Sequence, residues 1–284
     1  PPRSTLFPYT TLFRSASTSV EARNMGYTAS IGSKITKKLN LIAGTDLEAI
    51  TKTGEREKMK IREPRMPVLY DNIWKNALIE NYGAFIELSA KTNEWYHQVA
   101  VRVDHNHAHS DDTLVVNDYA NNAVLFKAID KDFANISASL SSKMTISEYL
   151  NIAISVGRGV RSPNMLERYI KRLPVGYDNY DYIGNPALKP EANHQADVTI
   201  EFTDMWNGKL IVNFFYAVVK DFIKAEIVAP SVLKPLTPGT LGVKQFVNAN
   251  DDVYFRGFEI VYRLPEIRNM RSGVLVAYTQ GTDN

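Results

Sequence analysis

Three histidines that alternate along the chain are the side chains best suited to bind a metal. His105, His107 and His109 form an H-x-H-x-H pattern, and Asp111 and Asp112 follow it. If this segment is an extended strand, the imidazoles lie on one side of it, about 6–7 Å apart. Neutral imidazole and carboxylate groups suit zinc, copper or nickel. The pattern therefore predicts a metal site, and a polar loop without metal is the alternative.

A long polar segment, residues 158–190, combines cationic with aromatic side chains. Arginine and tyrosine together can hold an anionic, aromatic metal chelate by charge-assisted hydrogen bonds and by stacking. The alternative is a solvated loop or one that faces lipopolysaccharide. The candidate ligand-binding residues are Arg158, Arg161, Arg168, Tyr169, Tyr177, Tyr180 and Tyr182.

The sequence gives little support for catalysis, and the alternative is an outer-membrane barrel hydrolase that pairs His97 or His194 with a serine of a strand. The chain has no G-x-S-x-G motif, no H-E-x-x-H motif and no glycine-rich phosphate loop. It has no cysteine, which excludes disulfides, thiolate metal sites and cysteine nucleophiles. Its 33 basic and 31 acidic residues give a formal net charge of +2, so no nucleic-acid partner is expected. We therefore predict a binding or transport protein that needs no cofactor.

The segments that must position these residues alternate between apolar and polar side chains. In residues 191–203, Ala196, Val198, Ile200 and Phe202 are separated by polar residues, so a strand here has one apolar and one polar face. No run of 18 apolar residues occurs, which excludes a transmembrane helix. The predicted strands are Met25–Ile31, Leu39–Leu47, Glu80–Leu88, Trp95–Asp104, Phe133–Leu140, Ser147–Gly157, Glu191–Thr203, Lys209–Asp221, Arg256–Tyr262 and Gly273–Thr279.

Short and long connections follow one another along these strands. Short turns are predicted near Gly32–Lys37, Lys91–Glu94, Ser141–Thr145, Asp204–Gly208 and Pro265–Arg271. Long links are predicted near Thr51–Lys75, Ala108–Val124, Arg158–Pro190 and Ile227–Gln245. This order is typical of transmembrane barrels, which have short turns at one end and long loops at the other. The fold class we predict is all-β, an antiparallel up-and-down transmembrane β-barrel wall, partial, with about ten strands of a larger barrel.

Two motifs around the long polar segment, and one later strand, resemble a known family. The segment GRGVRSPNMLERY at 157–169 leads to GNPALKPE at 184–191, and QFVNANDDVYFRGFEIVYRL follows at 245–264. This order resembles the carboxy-terminal barrel of TonB-dependent outer-membrane receptors of the siderophore- and metal-uptake type. The matching residues are Arg161, Pro163, Leu166, Glu167, Tyr169, Gly184, Asn185, Pro186, Leu188, Lys189, Pro190, Glu191, Gly257 and Glu259.

These motif residues have structural roles that need no transport chemistry. Proline cannot donate to a sheet ladder, so Pro186 and Pro190 stop the loop from extending the sheet. Glycine within a strand, as at Gly257, indicates a bend or the close approach of another backbone. We interpret the motif residues as mostly structural.

The resemblance implies an intact protein of the Gram-negative outer membrane with an amino-terminal plug, a segment that contacts TonB, and a barrel of about 22 strands. Its implied ligand is a metal chelate such as a ferric siderophore, with copper, haem or cobalamin as other ligands. Its implied partners are outer-membrane lipid, the chelate and, through the amino-terminal region, the TonB complex. The competing class is a soluble all-β ligand- or carbohydrate-binding module.

The chain is also expected to be a fragment. The stretch Thr5–Ser15 resembles the translation of a sequencing-library adapter, and residues 1–15 are interpreted as a non-native leader, with an ordinary disordered amino terminus as the alternative. Residues 16–284 are interpreted as a partial receptor barrel that lacks the plug and both barrel ends. Because open sheet edges are not tolerated in lipid, such a fragment is expected to be inactive alone.

Overall fold

The computed structural model describes residues 15–59, 67–111, 114–118, 121–126, 130–230, 232–235, 239–265 and 269–283. The leader predicted at residues 1–15 lies outside the described residues except for Ser15, and so does Asp112. The elements are β1 (Ser15–Lys34), β2 (Leu39–Met59), β3 (Pro67–Lys91), β4 (Trp95–His109), β5 (Leu114–Asp118), β6 (Asn121–Phe126), β7 (Lys131–Ser147), β8 (Leu150–Arg161), α1 (Met165–Tyr169), β9 (Asp181–Ile183), β10 (Glu191–Met205), β11 (Gly208–Lys220), β12 (Ile223–Val228), β13 (Val243–Asn248), β14 (Val253–Arg263) and β15 (Gly273–Asp283).

Ten of these strands form one antiparallel sheet in the order β1-β2-β3-β4-β7-β8-β10-β11-β14-β15. Each strand pairs with the next sheet strand along the chain, which is the up-and-down order expected from the sequence. The remaining elements branch from one end of this sheet, as a β5–β6 hairpin and a small β12-β13-β9 sheet. The predicted all-β wall of ten strands is confirmed.

The apolar face of the large sheet is open. Val101, Ile154, Val198 and Phe214 are 38% to 55% exposed, although they line up across neighbouring strands, for example Ile154 opposite Val198. A soluble sandwich would bury such a face against a second sheet. The soluble-module alternative is therefore wrong for this fold, and the open apolar face suits a lipid environment.

The opposite face is polar and internally hydrogen-bonded. Arg102 donates to Asp46 at 2.7 Å and to Asp104 at 2.8 Å. Gln195 donates to Asp197 at 3.0 Å on the same face. Side chains that bond one another in this way suit a water-filled lumen, so we call this the inner face and the apolar one the outer face.

The buried core lies at the end of the sheet from which the long connections leave. There the extension of β3 contributes Ile73, Trp74 and Ile79, and α1 contributes Met165 and Tyr169. These residues pack with Leu188, Tyr182 and Phe246 from the connecting segments. The connections are thus folded onto the wall.

Two predicted connections were placed wrongly. Residues 51–59 and 67–75, expected in a long link, belong to β2 and β3, because these strands continue far beyond the apolar stretch that marks them in the sequence. The turn expected at Ser141–Thr145 lies at residues 148–149, because β7 extends to Ser147. None of the described residues forms a helix long and apolar enough to cross a membrane.

We expect Ile154→Arg to block assembly of the intact protein in a membrane, because an outer-face arginine near the midplane of the bilayer costs about 2–4 kcal/mol. Ser155→Arg is the matched control, since Ser155 lies on the inner face within reach of Asp197. The measurement is the heat-modifiable electrophoretic mobility of the folded protein in the outer-membrane fraction. Equal assembly of both variants would contradict the assignment of the two faces.

Candidate functional site

The candidate site is the set of connecting elements at the long-loop end of the wall. The small sheet joins two connections that are distant in sequence, since β13 pairs in parallel with β9 and antiparallel with β12. Helix α1 follows β8, and a turn at 184–190 leads into β10. We call these connecting elements the cap. The geometry of the cap decides which candidate residues a ligand can reach.

Helix α1 begins with a capping box that the sequence carries as N-x-x-E. The Asn164 side chain accepts hydrogen bonds from the backbone N–H groups of Leu166 and Glu167, both at 2.9 Å. In return, Glu167 Oε2 accepts the Asn164 N–H at 2.8 Å. Each bond satisfies a donor that a helix start leaves unpaired. This short helix was missed from the sequence, although the capping pattern could have indicated it.

Arg161 joins the strands to this helix. Its guanidinium makes a two-pronged contact with Glu167, at 2.8 and 3.0 Å, and its Nε donates to Glu191 at 2.8 Å. The other oxygen of Glu191 accepts the backbone N–H of Ile223 at 3.1 Å. One arginine thus ties together the end of β8, the first turn of α1, the start of β10 and, through Glu191, the start of β12. Arg161 lies at the site but is occupied by two carboxylates.

The G-N-P-x-L motif packs the following turn against the helix. Gly184 lies so close to Arg168 and Tyr169 that a Cβ would collide with their backbone. Its N–H donates to the Ile170 carbonyl at 2.8 Å, and Asn185 donates to the Phe246 carbonyl at 3.2 Å. The side chain of Leu188 is fully buried in the core.

The rest of this motif region fits the same structural picture. Pro186 is buried and Pro190 half-buried at the entry to β10. The side chain of Asn248 bridges the turn to the neighbouring connection, since it accepts the Lys189 N–H and donates to the Lys189 and Asp221 carbonyls. Pro163 offers its carbonyl to Arg168 at 2.9 Å.

Arg168 and Tyr169 are inside the core. Arg168 is 0% exposed and Tyr169 is 2% exposed. Arg168 donates to Asn106 at 2.8 Å, and its guanidinium lies 5.2 Å from the ring centre of Phe133. Burial raises the pKa of Tyr169 to about 12. In this arrangement both side chains support the cap from within, where a ligand does not reach them.

The tyrosines after the helix lie in different environments. Tyr182 is buried, and its hydroxyl donates to Asp178 at 3.1 Å. Tyr177 is 75% exposed and meets Tyr182 edge to face, with ring centres 6.0 Å apart. Tyr180 is half-buried, and the ammonium of Lys244 lies 4.4 Å from its ring centre. Tyr177, Tyr180 and Lys244 therefore form an accessible patch with aromatic faces and a cation, which we call the tyrosine patch.

Asp178 holds the cation of this patch in place. It forms an ion pair with Lys244, and the hydrogen bond from Lys244 lowers the pKa of the Asp178 carboxyl. The same bond raises the pKa of the Lys244 ammonium. Sequence reasoning missed both residues, because Lys244 is 66 positions from its partner and only the parallel pairing of β13 with β9 brings them together.

Arg158 lies on the outer face of the wall. It is exposed, in line with Ile154 and Val156, and its guanidinium donates to the Ile136 carbonyl. The strand register places it opposite His194. The structure therefore separates Arg158 from the other candidates for ligand contact.

The three histidines also line the outer face, beyond the apolar stretch of β4. His105 and His107 both contact Asp132, at 3.4 and 3.0 Å. His109 contacts Asp111 through Nε2 at 2.8 Å and Asp130 through Nδ1. Because carboxylates only accept hydrogen bonds, contacts at both ring nitrogens favour a doubly protonated His109 with no lone pair for a metal. Among the described residues, no three histidine or acidic side chains converge in a metal-binding geometry, and metal binding stays a prediction.

Gly257 and Glu259 lie on the inner face of β14. A Cβ on Gly257 would collide with the Tyr278 carbonyl and would meet the Phe215 ring at 2.8 Å. The close backbone approach expected at this glycine is therefore present. Glu259 is exposed to the lumen opposite Asn213.

A ten-stranded wall with an open apolar face, a hydrogen-bonded inner face and a folded cap at one end is the architecture of a membrane-barrel receptor. A family model described as "TonB dependent receptor-like, beta-barrel" matches residues 8–284. The chain belongs to this family, whose members and structural relatives are receptors and transporters of the Gram-negative outer membrane.

Solved structures share this fold. The chain is similar to the copper transporter OprC, with 15% identity and a TM-score of 0.72 over 94% of this chain and 39% of that one. It is similar to the hemophore receptor HasR of Serratia marcescens, with 16% identity and a TM-score of 0.64 over 94% of this chain and 42% of that one. It is also similar to the FrpB iron transporter from Neisseria meningitidis, with 13% identity and a TM-score of 0.60 over 92% of this chain and 36% of that one.

These likenesses concern the fold alone. The chain spans about two fifths of the length of the first two solved structures. Among curated proteins, none matches the sequence of this chain.

We expect Arg161→Ala to loosen the cap and leave the wall assembled. The substitution leaves two largely buried carboxylates, Glu167 and Glu191, without their cation, which costs about 1–3 kcal/mol. The measurement is the rate of proteolysis within residues 162–190 and the hydrogen exchange of the Leu166 and Glu167 amides. Lys209→Ala is a matched control, because it removes a cation from Glu201 at the other end of β10. If the protease cleaved the Arg161→Ala variant within residues 162–190 no faster than it cleaved the control, Arg161 would not hold the cap.

We expect the Asp178–Lys244 contact to be constant near neutral pH and to weaken at both extremes. The lowered pKa of Asp178 means that its contribution to stability is present above 3.8, the ordinary pKa of an aspartate, and is lost as the pH falls through the lower pKa of the folded state. The raised pKa of Lys244 means that its contribution is present below 10.5 and is lost as the pH rises through the higher folded value. The measurement is the hydrogen-exchange protection factor of the Asp181 amide as a function of pH. This amide donates to the Gly242 carbonyl beside the patch, so its protection falls when the Asp178–Lys244 contact weakens. Protection that changed between pH 6 and 8 would contradict the assignment.

Proposed function

We propose that this chain is part of an outer-membrane receptor for TonB-coupled uptake of an anionic, aromatic metal chelate, such as a ferric siderophore. The observation that carries this proposal is the tyrosine patch at the long-loop end of the wall. Membership of the family supplies the transport class, and the patch supplies the ligand chemistry.

The contacts of the patch suit a chelate that is both flat and negatively charged. The Tyr177 ring is largely exposed, and the half-buried Tyr180 ring is in cation–π distance of Lys244. An aromatic group of the ligand can stack on the tyrosines, and an anionic oxygen can bond the ammonium. Asp178 restrains Lys244 and offsets part of its charge, so an anionic oxygen of the ligand meets a preorganised ammonium and bonds it through the remaining N–H donors.

The cap beneath the patch is rigid enough to present it. Arg56, which is 2% exposed, donates to the Arg172 carbonyl at 2.6 Å and so ties β2 to the segment that carries the patch. Leu173 and Tyr182 exchange backbone hydrogen bonds at 3.0 and 3.3 Å. The patch thus rests on the wall through buried contacts.

The names of the similar structures keep several ligands under consideration. One is a copper transporter, one an iron transporter and one a hemophore receptor. Copper and haem are therefore alternatives to a ferric siderophore, and cobalamin is a further alternative that the family resemblance implies. The same proposal includes a plug domain bound in the barrel and a TonB complex that supplies the energy for uptake.

The test is binding and growth with the intact protein that carries this chain. In a deletion strain limited for iron, copper, haem or cobalamin, we expect rescue by a ferric siderophore. Tyr177→Ala and Tyr180→Ala should each weaken binding of that chelate about 3- to 10-fold, because each removes one stacking contact. The measurement is quenching of intrinsic fluorescence by the ferric chelate.

Tyr149→Ala is the control, because Tyr149 is also exposed, at 53% against 75% for Tyr177, but lies at the short-turn end of the wall. Rescue by copper alone, with loss on replacing His105, His107 and His109 together, would instead favour the histidines as the ligand site. Unchanged chelate binding in both patch variants would overturn the proposed role of the patch.

A further inference from the structure

The outer face of the wall carries a recess at the upper edge of its apolar region. The recess has a volume of about 560 Å³ and lies across β7, β8 and β10. Its lining includes Ala138, Leu140, Val156 and Ala196, with Arg158 and His194 at one end. The two alanines leave a shallow channel between the larger apolar side chains.

The strand register fixes the order of these residues. Leu140 pairs with Val156, and Val156 pairs with Ala196. One step further toward the long-loop end on the same face, Ala138 pairs with Arg158, and Arg158 pairs with His194. An apolar channel therefore ends at two nitrogen-bearing side chains that lie side by side.

Three neighbouring strands of this face carry no acidic side chain, whereas β7 carries Asp132 further toward the long-loop end, in contact with His107. Outer-face positions of β8, of β10 from Ala192 to Phe202 and of β11, three strands that the structure describes in full, contain no acidic residue. The acidic residues of β8 and β10 in this range, Glu191, Asp197 and Glu201, lie on the inner face or at the cap. Arg158, His194 and Lys220 all lie toward the long-loop end of the outer face.

Arg158 differs from the inner-face arginine in its partners. Arg102 is bonded to two carboxylates, whereas the contact recorded for Arg158 is with the Ile136 carbonyl. A guanidinium has five N–H donors, so exposed Arg158 can bond a further acceptor outside the wall.

The height of the pair matches the boundary of a bilayer. Arg158 is eight positions from Leu150, which is about 26 Å along the strand at about 3.3 Å per residue. With the usual strand tilt of about 35–45°, this is about 19–22 Å along the barrel axis, so Arg158 lies a few ångströms below the upper edge of an apolar band about 25 Å tall, and its long side chain can reach that edge. Cationic side chains at this level meet lipid headgroups, and the surface below them meets acyl chains.

We infer that the recess binds the phosphorylated lipid A of lipopolysaccharide, with an acyl chain in the channel and a phosphate at Arg158 and His194. The inference rests on the proposed outer-membrane location, because long loops of such barrels face outward and lipopolysaccharide occupies that leaflet. The phosphate accepts charge-assisted hydrogen bonds from the guanidinium and a hydrogen bond from the imidazole.

The test uses the intact protein, purified in detergent and titrated with lipid A under native mass spectrometry. We expect the double variant Arg158→Gln, His194→Gln to bind lipid A at least about tenfold more weakly, since it loses the charged contact. Ala138→Phe fills the channel and should weaken binding as well. Arg256→Gln is the matched control, because Arg256 is an exposed arginine on the outer face of β14 that bonds Gln280 instead.

Three results would overturn the inference. They are equal lipid A affinity in the double variant and the control, equal affinity for dephosphorylated lipid A, and equally strong binding of phosphatidylglycerol or inorganic phosphate. Heat-modifiable mobility shows which variants are folded, and the two polar substitutions are at accessible positions that the fold does not need. Fractionation of cells separates the two proposals, since absence of the wild-type protein from the outer membrane would overturn the proposed function instead.

Discussion

Every backbone N–H and C=O group in a membrane wall must be paired inside the sheet, because lipid offers no partner. Between its strands the large sheet meets this demand with long antiparallel ladders, and among the described strands only the two at its edges, β1 and β15, are paired on one side alone. β1 and β2 pair from Ser15–Met59 to Lys34–Asn40 without a register shift. Two register shifts, at Thr145/Ser147 and Phe202/Met205, lie beside a turn at the end of a strand. The β2–β3 pair shifts between Lys52 and Met59, in the extension of these strands beyond their apolar stretch. The irregularities in these pairings therefore lie toward the two ends of the wall.

The same constraint moves the hydrophobic core away from the middle of the sheet. The apolar side chains of the outer face are left for lipid, and the inner face is polar, so neither face can form a packed interior. The described residues instead form their hydrophobic clusters where β3 and β4 extend beyond the apolar region and meet α1, β9 and β13. Charged groups take part in this packing, since buried Arg168 and Arg56 find carbonyl and amide partners there.

The sequence predicts the wall well because period-2 alternation is a local property. All ten predicted sheet strands are found, and errors occur where polarity no longer alternates, as in residues 51–75. The cap is less predictable, because its contacts join distant segments: Asn106 reaches Arg168, and Lys244 reaches Asp178. Composition could mark the segment 158–190 as rich in arginine and tyrosine, but it could not separate exposed Tyr177 from buried Tyr182. That difference depends on the pairing of β9 with β13.

Arg158 and Arg161 show why position on a strand decides function in such a wall. They lie three residues apart on the same strand, an odd number of steps, so their side chains are directed to opposite faces. Arg161 is directed inward, where Glu167 and Glu191 neutralise it and make it the joint of the cap. Arg158 is directed outward, where the outer-face positions of β8, of β10 from Ala192 to Phe202 and of β11 carry no acidic residue. Two arginines that composition assigns to one ligand site therefore have different partners, one the protein's own loop and the other the surrounding membrane.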